Sequence, residues 1–143
     1  MTTLSPQVTG SPLPAADEYS APYWQALERG ELTLPKCEVC GALNHPIARI
    51  CRVCESGQLS WSRVEPRGRL YSWAIEHRPV IPGFDPPYVI AQVTPAGCAE
   101  GEVRVSCTLL VDDPAVLAIG MPVVLVTAPA PGAKTILAHF MPE

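Results

Sequence analysis

The chain has 143 residues with a formal net charge of −4, and 17 of those residues are proline, roughly 12% against a usual 5%. Because 48% of the residues are apolar and only 17% are charged, the chain is too apolar for a disordered protein. Interior prolines break helices, so the composition also excludes a helical bundle or a coiled coil. We therefore expect a mainly β fold, built from short strands joined by turns.

The N-terminal part of the chain divides into two segments. Residues 1–16 are small, polar and proline-bearing, which is typical of a disordered tail. Within residues 17–34, apolar residues fall near helical spacing, Pro22 suits a first helical turn and Gly30 suits a helix end. The pattern predicts a short N-terminal helix over residues 21–29.

Residues 35–60 contain two cysteine pairs, Cys37-x2-Cys40 and Cys51-x2-Cys54. Four thiolates at this spacing can form a tetrahedron around Zn²⁺. Because protein sulfur would fill every position, we expect a rubredoxin-like zinc ribbon with a structural rather than a catalytic metal, whose binding stabilises the fold. Two disulfides, a redox-active pair or an iron site are the alternatives. His45 lies between the pairs, and we expect it to be an exposed loop residue rather than a ligand.

Strand signals recur through residues 61–143. Apolar runs separated by proline- and glycine-bearing breaks predict five short strands, over residues 69–80, 88–94, 103–109, 123–127 and 135–140. That number of strands fits a five-stranded OB-fold barrel. The proline-rich connection over residues 79–87 is a candidate for contact with a partner.

The chain carries no glycine-rich phosphate loop, nucleophile elbow or His-Glu-x-x-His motif. Two cysteines lie outside the pairs: Cys98 falls in a Pro/Gly turn and should be a free thiol, whereas Cys107 falls on the apolar face of a strand and should pack in the core. A nucleophilic role for either would need a low pKa and a neighbouring base. A stand-alone enzyme that uses one of these thiols with a histidine is therefore a weak alternative.

Arginine and aromatic residues concentrate where the ribbon joins the barrel, at Arg63, Arg67, Arg69, Tyr71, Trp73, His77 and Arg78. Arginine suits bidentate contacts with phosphate or carboxylate groups, and arginine and aromatic residues are enriched at interface hot spots. The pattern fits a surface that meets a partner or an anionic ligand. A solvated strand edge with a few core aromatics fits it equally well.

The order of motifs resembles that of a known family. The motifs are a helix carrying Tyr23-Trp24 and Leu27 with a Gly30-Glu-Leu exit, the two cysteine pairs, Trp61, Gly68-Arg-Leu-Tyr71-Ser, Pro86-Pro-Tyr88-Val, Ile119-Gly-Met-Pro-Val and Phe140-Met-Pro. Over roughly residues 19–142 the chain is similar to the zinc-ribbon plus OB-fold proteins associated with acyl-CoA, formerly a family of unknown function. One departure is the run His45-Pro46-Ile-Ala-Arg49, where many members carry a Pro-Pro-Arg-like run.

The resemblance implies a non-catalytic accessory subunit. Such proteins pair with a thiolase-like partner, which is a thiolase, an acyltransferase or an aldolase of the lipid-transfer-protein type, and they help to enclose the CoA thioester. A heterotetramer is expected because thiolase-like enzymes commonly dimerise. On this basis we expect partner or acyl-CoA contacts from Arg67, Arg69, Tyr71, His77 and Tyr88, and no catalytic residue.

A single-stranded nucleic-acid-binding protein is the main alternative, since zinc ribbons and OB barrels both serve that purpose. An aromatic content of 6% and a net charge of −4 count against it.

The N-terminus lacks the basic and apolar regions of a signal peptide, and the apolar stretch from Ile119 to Pro131 is too short to span a bilayer. We therefore expect a cytoplasmic location without membrane contact.

Overall fold

A computed structural model describes residues 13–80, 85–130 and 133–143. Those residues form one α-helix, a short 3₁₀ turn at Pro114–Val116 and strands in two sheets. In chain order the main elements are α1 (Ala21–Glu28), β1 (Leu32–Cys37), β2 (Leu59–Val64), β3 (Arg67–Glu76), β4 (Tyr88–Pro95), β5 (Val105–Leu109), β6 (Pro122–Pro129) and β7 (Ile136–Pro142). The predicted mainly β fold with one N-terminal helix is confirmed.

Helix α1 lies close to its predicted position. The residue before it, Ser20, receives a hydrogen bond from the backbone N–H of Asp17, and its own N–H donates to the Asp17 carboxylate at 2.7 Å. The helix ends before Gly30, whose φ of 70° suits a glycine. Its buried side chains, Tyr23 and Leu27, join the barrel core. No helix in the described part of the chain has the length and apolar character needed to cross a bilayer.

The cysteine-bearing part of the chain is framed by a two-stranded sheet. Strands β1 and β2 are antiparallel, with a register that runs from Leu32 opposite Val64 to Cys37 opposite Leu59. The pairing continues past the predicted ribbon boundary at residue 60, so the hairpin meets the barrel at residues 65–66. The predicted domain limits, residues 1–16, 17–34, 35–60 and 61–143, stay predictions.

The remaining five strands close into a barrel in the order β3-β4-β5-β7-β6. All neighbouring strands are antiparallel except β5 and β7, which are parallel. Residues at alternate positions along these strands point into the barrel and are buried: Leu70, Val89, Ala91, Val93, Val105, Leu109, Val123 and Phe140. The predicted five-stranded barrel is therefore confirmed, with a core made mostly of aliphatic side chains.

The strand nearest the ribbon departs from its predicted extent. Strand β3 covers Arg67–Glu76 rather than residues 69–80, and its register against β4 shifts between Leu70 and Ser72. This bulge places Tyr71 between the two regular halves of the strand. Alternation alone continued the prediction through His77, but backbone pairing with β4 ends at Glu76 opposite Tyr88.

Two predictions fall partly outside the described residues. Of the predicted tail, residues 1–12 lie outside them, and residues 13–16 are exposed without regular structure. Of the connection over residues 79–87, residues 81–84 lie outside them, while the Pro86–Pro87 peptide bond is cis.

Closure of the barrel depends on a close approach of backbones at Gly68. This residue pairs with Pro95 of β4 on one side and with Val123 of β6 on the other. A Cβ atom at Gly68 would lie 2.3 Å from the backbone oxygen of Thr94 and 2.6 Å from Cγ1 of Val93. Backbone cannot yield as a flexible side chain can, so only glycine fits this position.

We predict that Gly68→Ala destabilises the barrel by about 1–3 kcal/mol or more, the usual cost of forcing an extra carbon into a packed site. Denaturant unfolding measures the change in the free energy of unfolding. Gly57→Ala is the matched control, because nothing lies within 4 Å of the Cβ that it would add. Equal stability of the two variants would contradict the close approach at Gly68.

Candidate functional site: a cysteine cluster and an arginine-lined cavity

The four paired cysteines converge at the end of the two-stranded sheet. The Sγ atoms of Cys37, Cys40, Cys51 and Cys54 all lie within 4.8 Å of one another. The Sγ atoms of Cys37 and Cys54 are 3.5 Å apart, and those of Cys40 and Cys51 are 3.6 Å apart. A tetrahedron with zinc–sulfur bonds near 2.3 Å has sulfur–sulfur edges of about 3.8 Å. The donor set and its spacing therefore suit a structural zinc ion, and His45 is outside the cluster.

The two cysteine turns, here called the first and the second knuckle, have the same backbone design. In the first, the N–H of Gly41 donates to the carbonyl of Cys37 at 2.9 Å, and in the second, the N–H of Glu55 donates to that of Cys51 at 3.0 Å. Both residues have positive φ, 77° at Gly41 and 61° at Glu55. Glycine made the first turn predictable, whereas glutamate gave no signal for the second.

Backbone groups of the second knuckle favour a thiolate. Hydrogen bonds from the N–H groups of Cys54 and Val53 lower the pKa of Cys51 to about 6. The pKa of Cys54 is raised to about 12, because burial and the three neighbouring sulfurs outweigh the lowering effect of the Ser56 N–H. Four thiolates crowded together repel one another, so the cluster needs a cation to ionise fully. Zinc supplies that charge when it is bound.

A buried asparagine that the sequence did not single out connects the loops of the ribbon. Asn44 is 1% exposed. Its side-chain amide donates to the carbonyl of Ala42 at 3.1 Å, and its carbonyl oxygen accepts the N–H of Arg52 at 2.8 Å. Its own N–H donates to the carbonyl of Pro35 at 2.8 Å. One side chain thus fixes the loop after the first knuckle against the second.

A cavity of about 550 Å³ opens at one end of the barrel. Its walls come from the start of β3, the turn after β4, the segment before β6 and the last residue, Glu143. Two backbone hydrogen bonds hold the segment before β6 against the bulge. The N–H of Gly120 donates to the carbonyl oxygen of Leu70 at 2.7 Å, and the N–H of Leu70 donates to the carbonyl oxygen of Met121 at 2.9 Å. The cavity is therefore built on hydrogen-bonded backbone.

Three of the five residues predicted to contact a partner or acyl-CoA line this cavity, namely Arg67, Arg69 and Tyr71. The other two, His77 and Tyr88, lie at the opposite end of the β3–β4 hairpin. His77 is exposed, whereas Tyr88 is only 2% exposed. The structure thus divides the predicted contact residues between the two ends of the barrel wall.

The two arginines of the cavity have different partners. Arg67 forms an ion pair with Glu143 at 3.3 Å, and both side chains are largely exposed. Arg69 donates from Nη1 to the carbonyl of Gly120 at 3.0 Å. Neither contact uses all the guanidinium donors. Both groups can therefore still bind an anion at the mouth of the cavity.

The two unpaired thiols lack the features of nucleophiles. Burial, followed by the Glu102 carboxylate, raises the pKa of Cys98, which lines the cavity. Burial raises the pKa of Cys107 to about 12, and its thiol donates to the carbonyl of Ala91. In the described part of the chain neither thiol forms a hydrogen bond with a histidine. These environments disfavour the thiolate that covalent catalysis requires.

Two family models match consecutive stretches of the chain. Residues 24–60 match the rubredoxin-like zinc ribbon domain of ChsH2, and residues 61–128 match its C-terminal OB-fold domain. The predicted order of ribbon and barrel is the order of these two matches.

Two curated relatives share about a third of the sequence over most of this chain. A probable enoyl-CoA hydratase alpha subunit from Thermomonospora curvata is 35% identical over 116 residues, which cover 80% of this chain and 34% of the relative. A 3-oxo-4,17-pregnadiene-20-carboxyl-CoA hydratase alpha subunit from Mycobacterium tuberculosis is 32% identical over 110 residues, which cover 77% of this chain and 34% of the relative. The chain thus spans about a third of the length of each.

Solved structures share the fold. A chain of the Ltp2-ChsH2(DUF35) aldolase superposes with a TM-score of 0.75 and 30% identity, covering 91% of this chain and 98% of that one. A DUF35-family protein of unknown function from Sulfolobus solfataricus superposes with a TM-score of 0.59 at 12% identity, covering 90% of this chain and 85% of that one, which shows the fold alone. Taken together with the two domain matches, these likenesses show that the chain belongs to the ChsH2 (DUF35) family of zinc-ribbon plus OB-fold proteins.

Proposed function

We propose that this chain is a non-catalytic accessory subunit that binds and stabilises a thiolase-like partner acting on acyl-CoA. The observation that carries the proposal is the cavity, which has arginines at its mouth and whose one thiol, Cys98, has a pKa raised by burial. The similarity to a chain of the Ltp2-ChsH2 aldolase and to two alpha subunits of hydratases supports a role inside an assembly. The partner is a thiolase or an aldolase of the lipid-transfer-protein type.

The four cysteines hold a structural zinc ion in this proposal. Cys37, Cys40, Cys51 and Cys54 would supply all its ligands, so no position is open for substrate or water. When bound, the ion neutralises the thiolates and ties the two knuckles together. The metal thus shapes the subunit and takes no part in the reaction.

The cavity would contact the CoA part of the substrate at the interface with the partner. Arg67 and Arg69 suit phosphate groups, because guanidinium groups form bidentate, charge-assisted hydrogen bonds with phosphate oxygens. Tyr71 adds an aromatic wall beside them. His77, just after β3, and Tyr88, at the start of β4, lie too far from this cavity to line it. We assign the exposed His77 to contact with the partner itself, whereas Tyr88 is 2% exposed and cannot make such a contact without a rearrangement. Covering the thioester would exclude water from the chemistry of the partner.

The alternative of a single-stranded nucleic-acid binder has less support. Such proteins stack bases on exposed aromatic side chains, whereas the described tyrosines and tryptophans and Phe140 are all buried or half-buried.

The six cysteines form no disulfide in the structure. This state fits the reducing, cytoplasmic location that we infer from the sequence.

We predict that Cys51→Ser strongly lowers zinc retention and unfolds the ribbon, because structural zinc contributes on the order of 10 kcal/mol to such domains. Elemental analysis measures zinc per chain, and circular dichroism measures folding with and without a chelator. Cys98→Ser is the control, since this thiol is outside the cluster. Full zinc retention in Cys51→Ser would contradict the assignment.

We predict that Arg67→Gln and Arg69→Gln each weaken CoA binding to the assembled complex by about tenfold or more, because a charge-assisted hydrogen bond contributes about 1.5–3 kcal/mol. Isothermal titration with free CoA measures the affinity. The control is Arg63→Gln, which removes an exposed arginine outside the cavity whose side chain pairs with Glu31 at 3.4 Å. Unchanged affinity in both cavity variants would exclude the cavity as the CoA site.

Co-expression with a thiolase-like protein encoded beside this chain tests the proposal as a whole. We predict that the two proteins co-purify, that the partner is less soluble alone, and that native mass spectrometry shows a heterotetramer. A titration with single-stranded DNA at several salt concentrations tests the alternative. A chain that ignores the partner, or that binds the DNA tightly, would overturn the proposal.

A further inference from the structure

One arginine joins the metal-binding part of the chain to the barrel. Arg52 lies between the two cysteines of the second knuckle, and its backbone N–H donates to Asn44. Its Nε donates to the carbonyl of Leu43 at 3.1 Å, and its Nη2 donates to Oε1 of Glu102 at 3.0 Å. The first two contacts lie within the ribbon, and the third reaches the turn between β4 and β5. Arg52 is therefore fixed on the ribbon side before it meets the barrel.

Glu102 transmits this contact to the wall of the cavity. Its second oxygen, Oε2, accepts the N–H of Ala99 at 2.9 Å, and its own N–H donates to the Ala99 carbonyl at 2.9 Å. These bonds close the turn over residues 99–102, which contributes Glu100 to the cavity wall and directly follows Ala96, Gly97 and Cys98, which also line the cavity. One carboxylate thus holds the turn together and anchors it to the ribbon.

The same turn also bears on the tyrosine of the cavity. The N–H of Gly101 donates to Oγ1 of Thr94 at 3.3 Å. A Cβ added at Gly101 would lie 3.1 Å from Cε2 of Tyr71, so the turn packs closely against the ring. The ring also faces the guanidinium of Arg104, which lies 5.0 Å from the ring centroid. A shift of the turn would therefore change the cavity at Tyr71 as well as at Cys98.

Among the ion pairs of the described residues, Arg52–Glu102 is the only one that connects the cysteine loops with the barrel. The side chains are 39% and 35% exposed. Pairs with this exposure add little to global stability. They can still select one position for a turn whose residues 97, 99 and 100 are exposed to solvent.

We propose that Arg52 is a positioning residue that, through Glu102, makes the shape of the cavity wall depend on a metal-folded ribbon. Loss of the metal would release the second knuckle, Arg52 would leave Glu102, and the turn over residues 96–102 would loosen. The dependence of the wall on the ribbon follows from these contacts alone. Its effect on CoA rests on the proposed function, so the two are tested by different measurements.

The accessibility of Cys98 reports the position of the wall. This thiol lines the cavity and is half-buried, whereas Cys107 lies in the barrel and serves as an internal reference. The experiment follows alkylation of each thiol by peptide mapping in the zinc-loaded full chain. Rates are measured across the titration of the thiol, so that the limiting rate of the thiolate reports access alone.

In Arg52→Met, which keeps the aliphatic stem, we expect Cys98 to react on the order of tenfold faster while Cys107 is unchanged, because local opening limits the rate at a shielded group. The charge of Arg52 lowers the pKa of Cys98. Electrostatics alone would therefore slow the reaction in this variant, which is the opposite sign. Stripping zinc from the parent chain should give the same increase at Cys98.

Glu102→Ala is a second variant for the same measurement of Cys98 alkylation, because it leaves the hydrogen bonds of Arg52 within the ribbon intact. It should accelerate Cys98 at least as much as Arg52→Met does, because it also removes the bond from the N–H of Ala99 to Oε2. The double variant should be no faster than Glu102→Ala alone, since Arg52 acts on the turn through this carboxylate. Arg63→Met, which breaks an ion pair elsewhere in the ribbon, is the control and should leave Cys98 unchanged.

A limiting rate at Cys98 in zinc-loaded Arg52→Met within about twofold of the parent would overturn the proposal, as would additive effects in the double variant. Failure of CoA to bind the parent complex would instead count against the proposed function. It would leave the Cys98 result standing.

Discussion

The structure depends first on holding four cysteine sulfurs within 4.8 Å of one another. Between Glu38 and Gln58 only Asn44, Pro46 and Cys51 are buried, so this segment has almost no apolar core. A metal bound by the four thiolates would replace that core. The hydrogen bonds of Asn44 and the ion pair of Arg52 with Glu102 of the barrel both depend on the position of the two knuckles. The metal cluster therefore orders a region much larger than its own ligands.

The barrel is stabilised by an apolar core, whereas the cysteine-bearing segment depends on its cluster. Aliphatic side chains fill the barrel interior, and Tyr23 and Leu27 of the helix join the same core. Gly68 allows the neighbouring strands to close around that core. Leu32 and Leu34 of β1 belong to the same core, and the ribbon also supports the turn that forms one wall of the cavity. The arginines that we propose bind CoA thus lie at the rim of the barrel, where a partner could reach them.

Local patterns predicted the elements well, whereas contacts between distant residues could not be predicted. The cysteine spacing, Gly41 and the alternation in the strands each carry a local physical signal. The positive φ of Glu55 and the burial of Asn44 carry none, because tertiary contacts impose them. Arg52 and Glu102 are 50 residues apart in the chain. The sequence around either residue alone predicts only a solvent-exposed charge.

The length of the β3–β4 pairing had a similar effect on the candidate site. The family resemblance grouped Arg67, Arg69, Tyr71, His77 and Tyr88 as contact residues, but the fold places the last two at the end of the pairing opposite the cavity. Hydrogen exchange of this chain, alone and bound to the proposed thiolase-like partner, tests the resulting account most directly. We predict slower exchange in residues 67–71 and 94–102 within the complex, with the interior strands unchanged. Unchanged exchange at these residues in a verified complex would contradict a cavity that faces the partner.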